Sequence, residues 1–280
     1  MTNKTFSLGG DLTINRLGFG AMRLPVGTFD GPVRAPETGI AVLRRAVELG
    51  VNHIDTAGFY ERGDVRANEL IRKALTPYRD DLVIATKVGP LRGPDGMPSG
   101  QATPDQLRGL VETDLRDLGL DRLDLVYLRV GGMRGAGGES IAERFAVLAE
   151  LRAEGLIRHL GVSNVDAAQF AEAQAVAPVT AVQNHQIDES GLLSVCEEEG
   201  IAYVPFFPLG GGGQPLDTER LGKVAARVGA TTPQVALAAL LALSPVALAI
   251  PGTGTLAHLE ENLAAGDLDL GEEDLAALRG

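Results

Sequence analysis

Three residues of different chemical types follow short apolar segments and could together transfer a proton. Asp55 and Tyr60 stand near the end of the segment 52–56 and just after it, and Lys87 stands near the end of the segment 82–88. Tyr and Lys ordinarily have pKa values of about 10 and about 10.4, so a phenol is a useful acid near neutral pH only if its anion is stabilised. We expect Asp55 to hold Lys87 charged and Lys87 to lower the pKa of Tyr60. Tyr60 would then protonate a carbonyl oxygen as hydride arrives at carbon.

The same residues also fit a structural role or a metal site. Tyr60 could anchor a loop while Asp55 and Lys87 form an ordinary salt bridge in the core. His53 and Asp55 stand two apart on a strand and face the same way, as the metal ligands of a hydrolase would. No carboxylate ends the last apolar segment, however, and Lys87 would be a competing cation. The sequence therefore disfavours a metal site.

Eight short segments rich in Val, Ile, Leu and Tyr must position these side chains, because they alternate with longer segments of helical period. The strand candidates are 17–20, 52–56, 82–88, 123–130, 158–163, 181–185, 202–208 and 247–251. Eight such units predict an α/β protein, a (β/α)8 or TIM barrel, with residues 1–280 as a single domain. A doubly wound open sheet is the alternative, but Gly18 and Gly20 lack the third glycine of the dinucleotide-binding fingerprint.

Residues that start and stop helices agree with this alternation. Pro104 and Asp166 stand where helices are expected to begin. Gly50, Gly155 and Gly200 each follow a helical segment and precede a strand. Helices are therefore expected between successive strands.

The composition excludes several classes of partner. The chain has 37 Asp and Glu against 25 Lys and Arg, a formal net charge of -12, which would repel nucleic acid and anionic membrane surfaces. The longest apolar run, 235–243, is too short to span a membrane, for which about 20 residues are needed. Cys196 is the one cysteine, and nothing at the N-terminus is typical of a signal peptide. We expect a cytoplasmic protein with no nucleic-acid or membrane partner.

Several separated motifs resemble the aldo-keto reductase family. They are LGFGAM (17–22), NHIDTAGFY (52–60), the Lys87 segment, GVSN (161–164), Gln183, and IPGT (250–253) followed by HLEEN (258–262). The resemblance covers nearly the whole chain. It implies a (β/α)8 barrel that uses NADPH or NADH to reduce a small-molecule carbonyl, with Asp55, Tyr60 and Lys87 as catalytic residues.

The resemblance also implies residues that bind the cofactor. Gly20 and Met22 would contact it after the first strand, Ser163, Asn164 and Gln183 would bind the nicotinamide carboxamide, and Phe206 would stack on the nicotinamide. The adenosine phosphate would be bound by the segment after the eighth strand, with Gly252, Thr253, Thr255, His258, Glu261 and Asn262.

Two positions depart from the family pattern. Arg129 stands at the end of the fourth strand, where the family usually has its fourth catalytic residue, a histidine. Arginine can donate to a carbonyl or alkoxide oxygen, but it stays protonated and so cannot relay a proton. Gly252, Gly254 and Thr255 occupy much of the segment where the family often has a Lys or Arg for the 2′-phosphate of NADPH, and His258 replaces a common arginine. Threonine hydroxyls and a helix N-terminus still favour phosphate binding, and hence NADPH.

Within the family, the segments 50–60, 124–132, 200–211 and 250–265 resemble bacterial pyridoxal reductases. This resemblance implies pyridoxal as the substrate and pyridoxine as the product. The alternative is a regulatory protein that keeps the barrel and binds the nucleotide but catalyses little, with Arg129 as a sign of lost chemistry.

Overall fold

The computed structural model describes residues 4–27, 31–93, 98–132, 135–185, 191–212 and 216–279. The strands are β1 (Thr5–Leu8), β2 (Leu12–Asn15), β3 (Phe19–Gly20), β4 (His53–Asp55), β5 (Glu61–Arg62), β6 (Val65–Arg66), β7 (Val83–Val88), β8 (Pro90–Arg92), β9 (Pro98–Gln101), β10 (Leu123–Arg129), β11 (Ile157–Ser163), β12 (Ala181–Gln183) and β13 (Ala202–Tyr203). The α-helices are α1 (Pro36–Glu48), α2 (Ala67–Leu75), α3 (Pro104–Leu118), α4 (Ala142–Ala153), α5 (Ala167–Val176), α6 (Leu192–Glu199), α7 (Thr218–Val228), α8 (Thr232–Ala242), α9 (Leu256–Ala264) and α10 (Glu272–Arg279).

Seven strands form one parallel sheet in the order β3-β4-β7-β10-β11-β12-β13. Asp55 of β4 pairs with Ala85 of β7, and Lys87 of β7 pairs with Tyr127 of β10. The carboxyl ends of these strands therefore meet at one edge of the sheet, as the sequence predicts.

The segment 246–251 closes this sheet into a barrel. The Leu248 amide donates to the Tyr203 carbonyl at 2.8 Å, and the Gly18 amide donates to the Ala249 carbonyl at 2.8 Å. The predicted (β/α)8 barrel is confirmed, although several strands are shorter than the predicted segments. The seventh is one example: Pro205 has no amide hydrogen, and β13 ends at Tyr203.

A hairpin of β1 and β2 precedes the barrel and was not expected from the sequence. Leu8 and Ile14 pack in one buried cluster with Val83 and Leu125, which lie near the amino ends of barrel strands. The hairpin turn places Asp11 with one carboxylate oxygen 2.6 Å from His159 Nε2. The hairpin therefore covers the end of the barrel opposite the polar strand ends.

The residues expected to start and stop helices do so. Thr103 forms a capping box with Gln106 at the start of α3, and Asp166 caps α5. Gly50, Gly155 and Gly200 have φ values of 93°, 88° and 67°, the left-handed region that glycine adopts without strain.

No single helix in the described ranges combines the length and the apolar composition of a membrane span. In the part of the chain that the structure describes, the pair α7 and α8 taken together reaches both, and the two helices are bent by 94° where they meet.

Candidate active site

A buried ion pair forms the base of the candidate site. Lys87 Nζ donates to Asp55 Oδ1 at 2.6 Å and to the Thr56 carbonyl at 2.9 Å, and both charged side chains are only 3% exposed. Asp55 ends β4 and Lys87 lies near the end of the adjacent β7, so the parallel register brings the two side chains together. A buried ammonium that is paired and hydrogen-bonded in this way is held in a fixed position.

Tyr60 lies directly beside this pair. The turn after β4 returns the chain, with the Tyr60 amide donating to the Ala57 carbonyl at 3.0 Å, and Phe59 packs edge-on against the Tyr60 ring. Lys87 Nζ is 4.8 Å from the centre of the Tyr60 ring. The three residues expected to act together are therefore brought together.

The charges at the site follow from burial and from these neighbours. Burial by itself lowers the pKa of Lys87, but Asp55 and Tyr60 outweigh it, so the net pKa is raised and Lys87 stays charged. Burial raises the pKa of Tyr60 above its ordinary value, and the Lys87 ammonium offsets only part of that increase. Lys87 thus lowers the pKa of Tyr60, as expected, but burial raises it by more, so the net pKa lies above its ordinary value. Tyr60 stays protonated at neutral pH and has a proton to donate.

Gln183 completes the hydrogen-bonded group from β12. Its Nε2 donates to Asp55 Oδ2 at 2.7 Å, so each Asp55 oxygen accepts from a different side chain. Gln183 Oε1 is buried and accepts no hydrogen bond from the described residues. The sequence placed Gln183 beside a nicotinamide but gave no sign of its bond to Asp55.

Arg129 ends β10 and reaches the same region. Its guanidinium lies 4.5 Å from the centre of the Phe206 ring, and its Nη1 donates to Ser163 Oγ at 3.3 Å. Burial lowers its pKa from a very high ordinary value, so it still carries a charge at neutral pH. Arg129 therefore presents a fixed positive charge and hydrogen-bond donors to the site.

Two cavities meet at these residues. One has a volume of about 410 Å³ and is lined by Tyr60, Lys87, Arg129 and Gln183 together with Met22, Phe59, Phe206 and Phe207. The other is a groove of about 360 Å³ that shares Tyr60 and Gln183 with the first and continues past Gly20, Gly252, Thr253, Gly254 and His258.

The groove depends on two glycines that face each other. A Cβ atom at Gly20 would lie 2.6 Å from the Ile250 carbonyl oxygen, and one at Gly252 would lie 2.5 Å from the Gly20 carbonyl oxygen. No other residue fits at either position without moving the backbone. Of the residues expected to bind the cofactor, the groove brings together Gly20, Met22, Gln183, Phe206, Gly252, Thr253 and His258.

Five other residues that were expected to bind the cofactor do not line either cavity: Ser163, Asn164, Thr255, Glu261 and Asn262. Asn164, at φ 61°, donates its side-chain amide to the carbonyls of Val130, Gly132 and Gly135, which fixes the loop after β10. Thr255 caps α9 by accepting from the His258 amide at 3.3 Å. The contacts of Asn164 and Thr255 support the walls of the site.

A second buried network under the Tyr60 turn was missed by the sequence analysis. Asp114 of α3, 1% exposed, accepts from Thr86 Oγ1 at 2.6 Å and from Asn68 Nδ2 at 3.0 Å, and Asn68 accepts from Thr56 Oγ1 at 2.7 Å. Burial raises the pKa of Asp114 to about 7. The sequence feature that could have revealed this network is the position of Asp114 on α3. It lies on the same helix face as the apolar residues Leu107 and Val111, so the pattern predicts that it is buried.

His53 does not form a metal site with Asp55. The Lys87 ammonium donates to the Asp55 carboxylate oxygen that a metal would otherwise bind. Among the described residues, no group of three His, Cys, Asp or Glu side chains is arranged to hold a metal ion.

Comparison with known proteins agrees with this geometry. Residues 16–280 match the family model of the aldo/keto reductases. The chain belongs to the aldo/keto reductase family. This aldo/keto reductase is 48% identical to the pyridoxine 4-dehydrogenase of Escherichia coli (strain K12), in an alignment of 287 residues that covers 100% of this chain and 99% of the relative. An uncharacterised oxidoreductase of Schizosaccharomyces pombe is 39% identical and is matched over 87% of its length by 96% of this chain. Family and relatives identify the chain as an oxidoreductase.

Solved structures show the same fold. A thermostable aldo-keto reductase in complex with the inhibitor epalrestat is 32% identical and superposes with a TM-score of 0.82, over 98% of both chains. The aldo/keto reductase of Klebsiella pneumoniae, solved in complex with NADP and acetate, is 28% identical with a TM-score of 0.79, over 99% of this chain and 94% of the other.

Proposed function

We propose that this protein is an NADPH-dependent carbonyl reductase that converts pyridoxal to pyridoxine. The observation that carries the proposal is the connected group of Asp55, Lys87, Tyr60 and Gln183 at the wall shared by the two cavities. One cavity has the size for a small aldehyde, and the other extends from Tyr60 and Gln183 to Gly254 and His258, as the binding of a nucleotide would require. A general acid between a substrate cavity and a cofactor groove is what hydride transfer to a carbonyl requires.

Each residue has a role that follows from its contacts. Tyr60 donates its phenolic proton to the carbonyl oxygen as the carbonyl carbon is reduced, which yields the alcohol. The Lys87 ammonium, fixed by Asp55, stabilises the phenolate that forms on Tyr60. Arg129 adds a second donor toward negative charge that develops on the oxygen.

The groove residues fit a nicotinamide cofactor. Gln183 Oε1 is a buried acceptor without a described partner, which suits the amide hydrogens of a nicotinamide carboxamide. Gly20 and Gly252 line the groove and let the first strand and the segment after the eighth approach so closely that a Cβ atom would collide with a backbone carbonyl. When bound, NADPH would supply the hydride. The N-terminus of α9, capped by Thr255, favours a phosphate at the far end of the groove.

The proposed substrate is supported by the cavity walls and by the relative. Phe59, Phe206 and Phe207 surround a volume suited to one flat aromatic ring, and Arg129 offers a charge for a polar ring substituent. The Escherichia coli relative is named for the oxidation of pyridoxine, the reverse of the proposed direction.

The test is the rate of NADPH oxidation with pyridoxal and, separately, with benzaldehyde, in the wild type and in Tyr60→Phe. We expect pyridoxal turnover in the wild type and a decrease of about 10²–10⁴-fold in the variant, because general acid catalysis contributes about that factor. Tyr78→Phe is the matched control, since the Tyr78 hydroxyl bonds the Leu118 carbonyl at 2.6 Å and lines neither cavity.

The other outcomes separate the parts of the proposal. Turnover of benzaldehyde alone would keep the reductase and reject pyridoxal as the substrate. Full activity in Tyr60→Phe would reject Tyr60 as the acid. NADPH binding with no turnover of any aldehyde would instead favour a regulatory protein on the same fold.

A further inference from the structure

Two arginines that the sequence analysis did not single out line the cofactor groove. Arg23 belongs to a short 3-10 helix after β3, and Arg34 lies in the segment that leads into α1. Neither residue lines the cavity proposed for the substrate. A role in binding the aldehyde is therefore not indicated for them.

Arg34 is fitted closely against the loop after the eighth strand. Its Nη1 donates to the Gly254 carbonyl at 3.1 Å. A Cβ atom at Gly254 would lie 2.2 Å from Arg34 Nη1, and one at Gly27 would lie 2.9 Å from Arg34 Nη2. The guanidinium therefore occupies the space where two side chains would otherwise be. The segment 252–255 contains no Lys or Arg, and Arg34, from the segment before α1, places a guanidinium beside it.

Among the residues that the structure describes, no carboxylate neutralises the charge of Arg34. Arg34 forms no ion pair with a carboxylate in the described parts of the chain, and its Nε is buried there without a hydrogen-bond partner. Burial and the neighbouring charge of Arg34 together lower the pKa of Arg23. Asp55 is the one carboxylate among the described residues that line the groove, and it is bonded to Lys87 and Gln183.

The position of Arg34 identifies the anion that it suits. The groove runs from Tyr60 and Gln183 at one end to Gly254 and His258 at the other, where α9 directs its N-terminus. A dinucleotide whose nicotinamide lies beside Tyr60 places its adenosine end near Gly254. The half-buried Arg34 guanidinium and the N-terminus of α9 at that end together favour the binding of a phosphate monoester.

We propose that Arg34 binds the 2′-phosphate of NADPH and is the residue that makes this enzyme prefer NADPH to NADH. The inference rests on the proposed use of a nicotinamide cofactor in this groove. It assigns the selectivity to the segment before α1, although Arg34 is 220 positions from Gly254 in the sequence.

The test measures binding by calorimetry, without substrate, for NADPH, NADH and 2′,5′-ADP. In Arg34→Gln we expect NADPH and 2′,5′-ADP to bind about 10- to 100-fold more weakly, the range for a lost charge-assisted hydrogen bond, while NADH binding changes less than about twofold. Unchanged NADH binding also shows that the variant is folded. Arg34→Lys should retain part of the affinity for NADPH.

Arg45→Gln is the control for a general loss of positive charge near α9. Arg45 is a residue of α1 whose side chain is 40% exposed; it pairs with Glu260 of α9 at 2.8 Å and lies outside the groove. It should leave all three affinities unchanged. Equal weakening of NADPH and NADH in Arg34→Gln would overturn the proposal, and so would an unchanged affinity for NADPH. Wild-type protein that binds neither cofactor would reject the proposed function itself, whereas selective binding without turnover would keep this inference and reject only the reductase activity.

Discussion

Replacing Lys87 by methionine would test the buried ion pair on which the site depends. The variant leaves the Asp55 carboxylate in a place where it is 3% exposed, with the Gln183 amide as its remaining side-chain donor. Removing one partner of a buried pair costs about 3–5 kcal/mol, because the other charge stays buried without compensation. With an unfolding entropy of about 2.1 cal/mol/K per residue, the melting temperature of a 280-residue chain should fall by about 5–8 °C.

The double variant Asp55→Asn with Lys87→Met separates this charge effect from simple loss of packing. Removing both charges leaves no uncompensated ion, so the double variant should be more stable than Lys87→Met alone. The assay is urea unfolding followed by circular dichroism, with the free energies combined as a double-mutant cycle. Both variants should lack reductase activity, since neither can stabilise a phenolate at Tyr60.

Two results would refute this reasoning. One is a cost below about 1 kcal/mol for Lys87→Met, which is the range of exposed pairs. The other is a double variant whose loss equals the sum of the two single losses, because independent residues behave in that way. Lys223→Met is the matched control. Lys223 pairs with Glu219 at 2.8 Å, against 2.6 Å for the buried pair, but its side chain and that of Glu219 are 74% and 81% exposed, so the unfolding midpoint should not move.

Two further predictions concern pH and turnover. Since burial raises the pKa of Asp114 to about 7 from an unfolded value of 3.8, the folded state binds the extra proton between these values, and its contribution to stability is lost as pH rises through about 7. In Asp114→Asn, urea unfolding at several pH values should therefore show a smaller fall in stability from about pH 4 to about pH 7 than the wild type. An equal fall would contradict the raised pKa of Asp114. The control is Asp121→Asn, at an exposed position, which should keep the pH dependence of the wild type. Arg129→Gln should lower kcat by about 10²-fold, the effect of losing one donor to a developing oxyanion, and leave the shape of the pH–rate profile unchanged. A step near about pH 6.5 that disappears in this variant would show that Arg129 is coupled to a histidine-like group instead.

The barrel, and the end of it that carries the candidate site, could be predicted because both follow from local patterns. The alternation of strand and helix segments sets the order of the units, and parallel strands bring their carboxyl ends to one edge. Asp55, Tyr60 and Lys87 stand at or just after such ends, so their meeting did not depend on the details of packing. The N-terminal hairpin was not predicted because its two strands are only four residues long each.

The acid strength of Tyr60 could not be predicted in the same way. The sequence shows a possible neighbour, Lys87, but not how far water is excluded from the phenol. In the structure burial raises the pKa of Tyr60 more than Lys87 lowers it. Burial is a property of all the surrounding elements together.

The sequence by itself determined the order of eight β/α units and the end of the barrel at which the chemistry lies. Only the tertiary structure decided which side chains touch there: Gln183 bonds Asp55 across 128 positions, and Arg34 reaches Gly254 across 220. The physical reason is the separation along the chain over which each kind of interaction acts. Hydrogen-bond geometry and side-chain periodicity act between near neighbours and can be read along the chain, whereas contacts across a closed barrel depend on how every strand and loop packs at once.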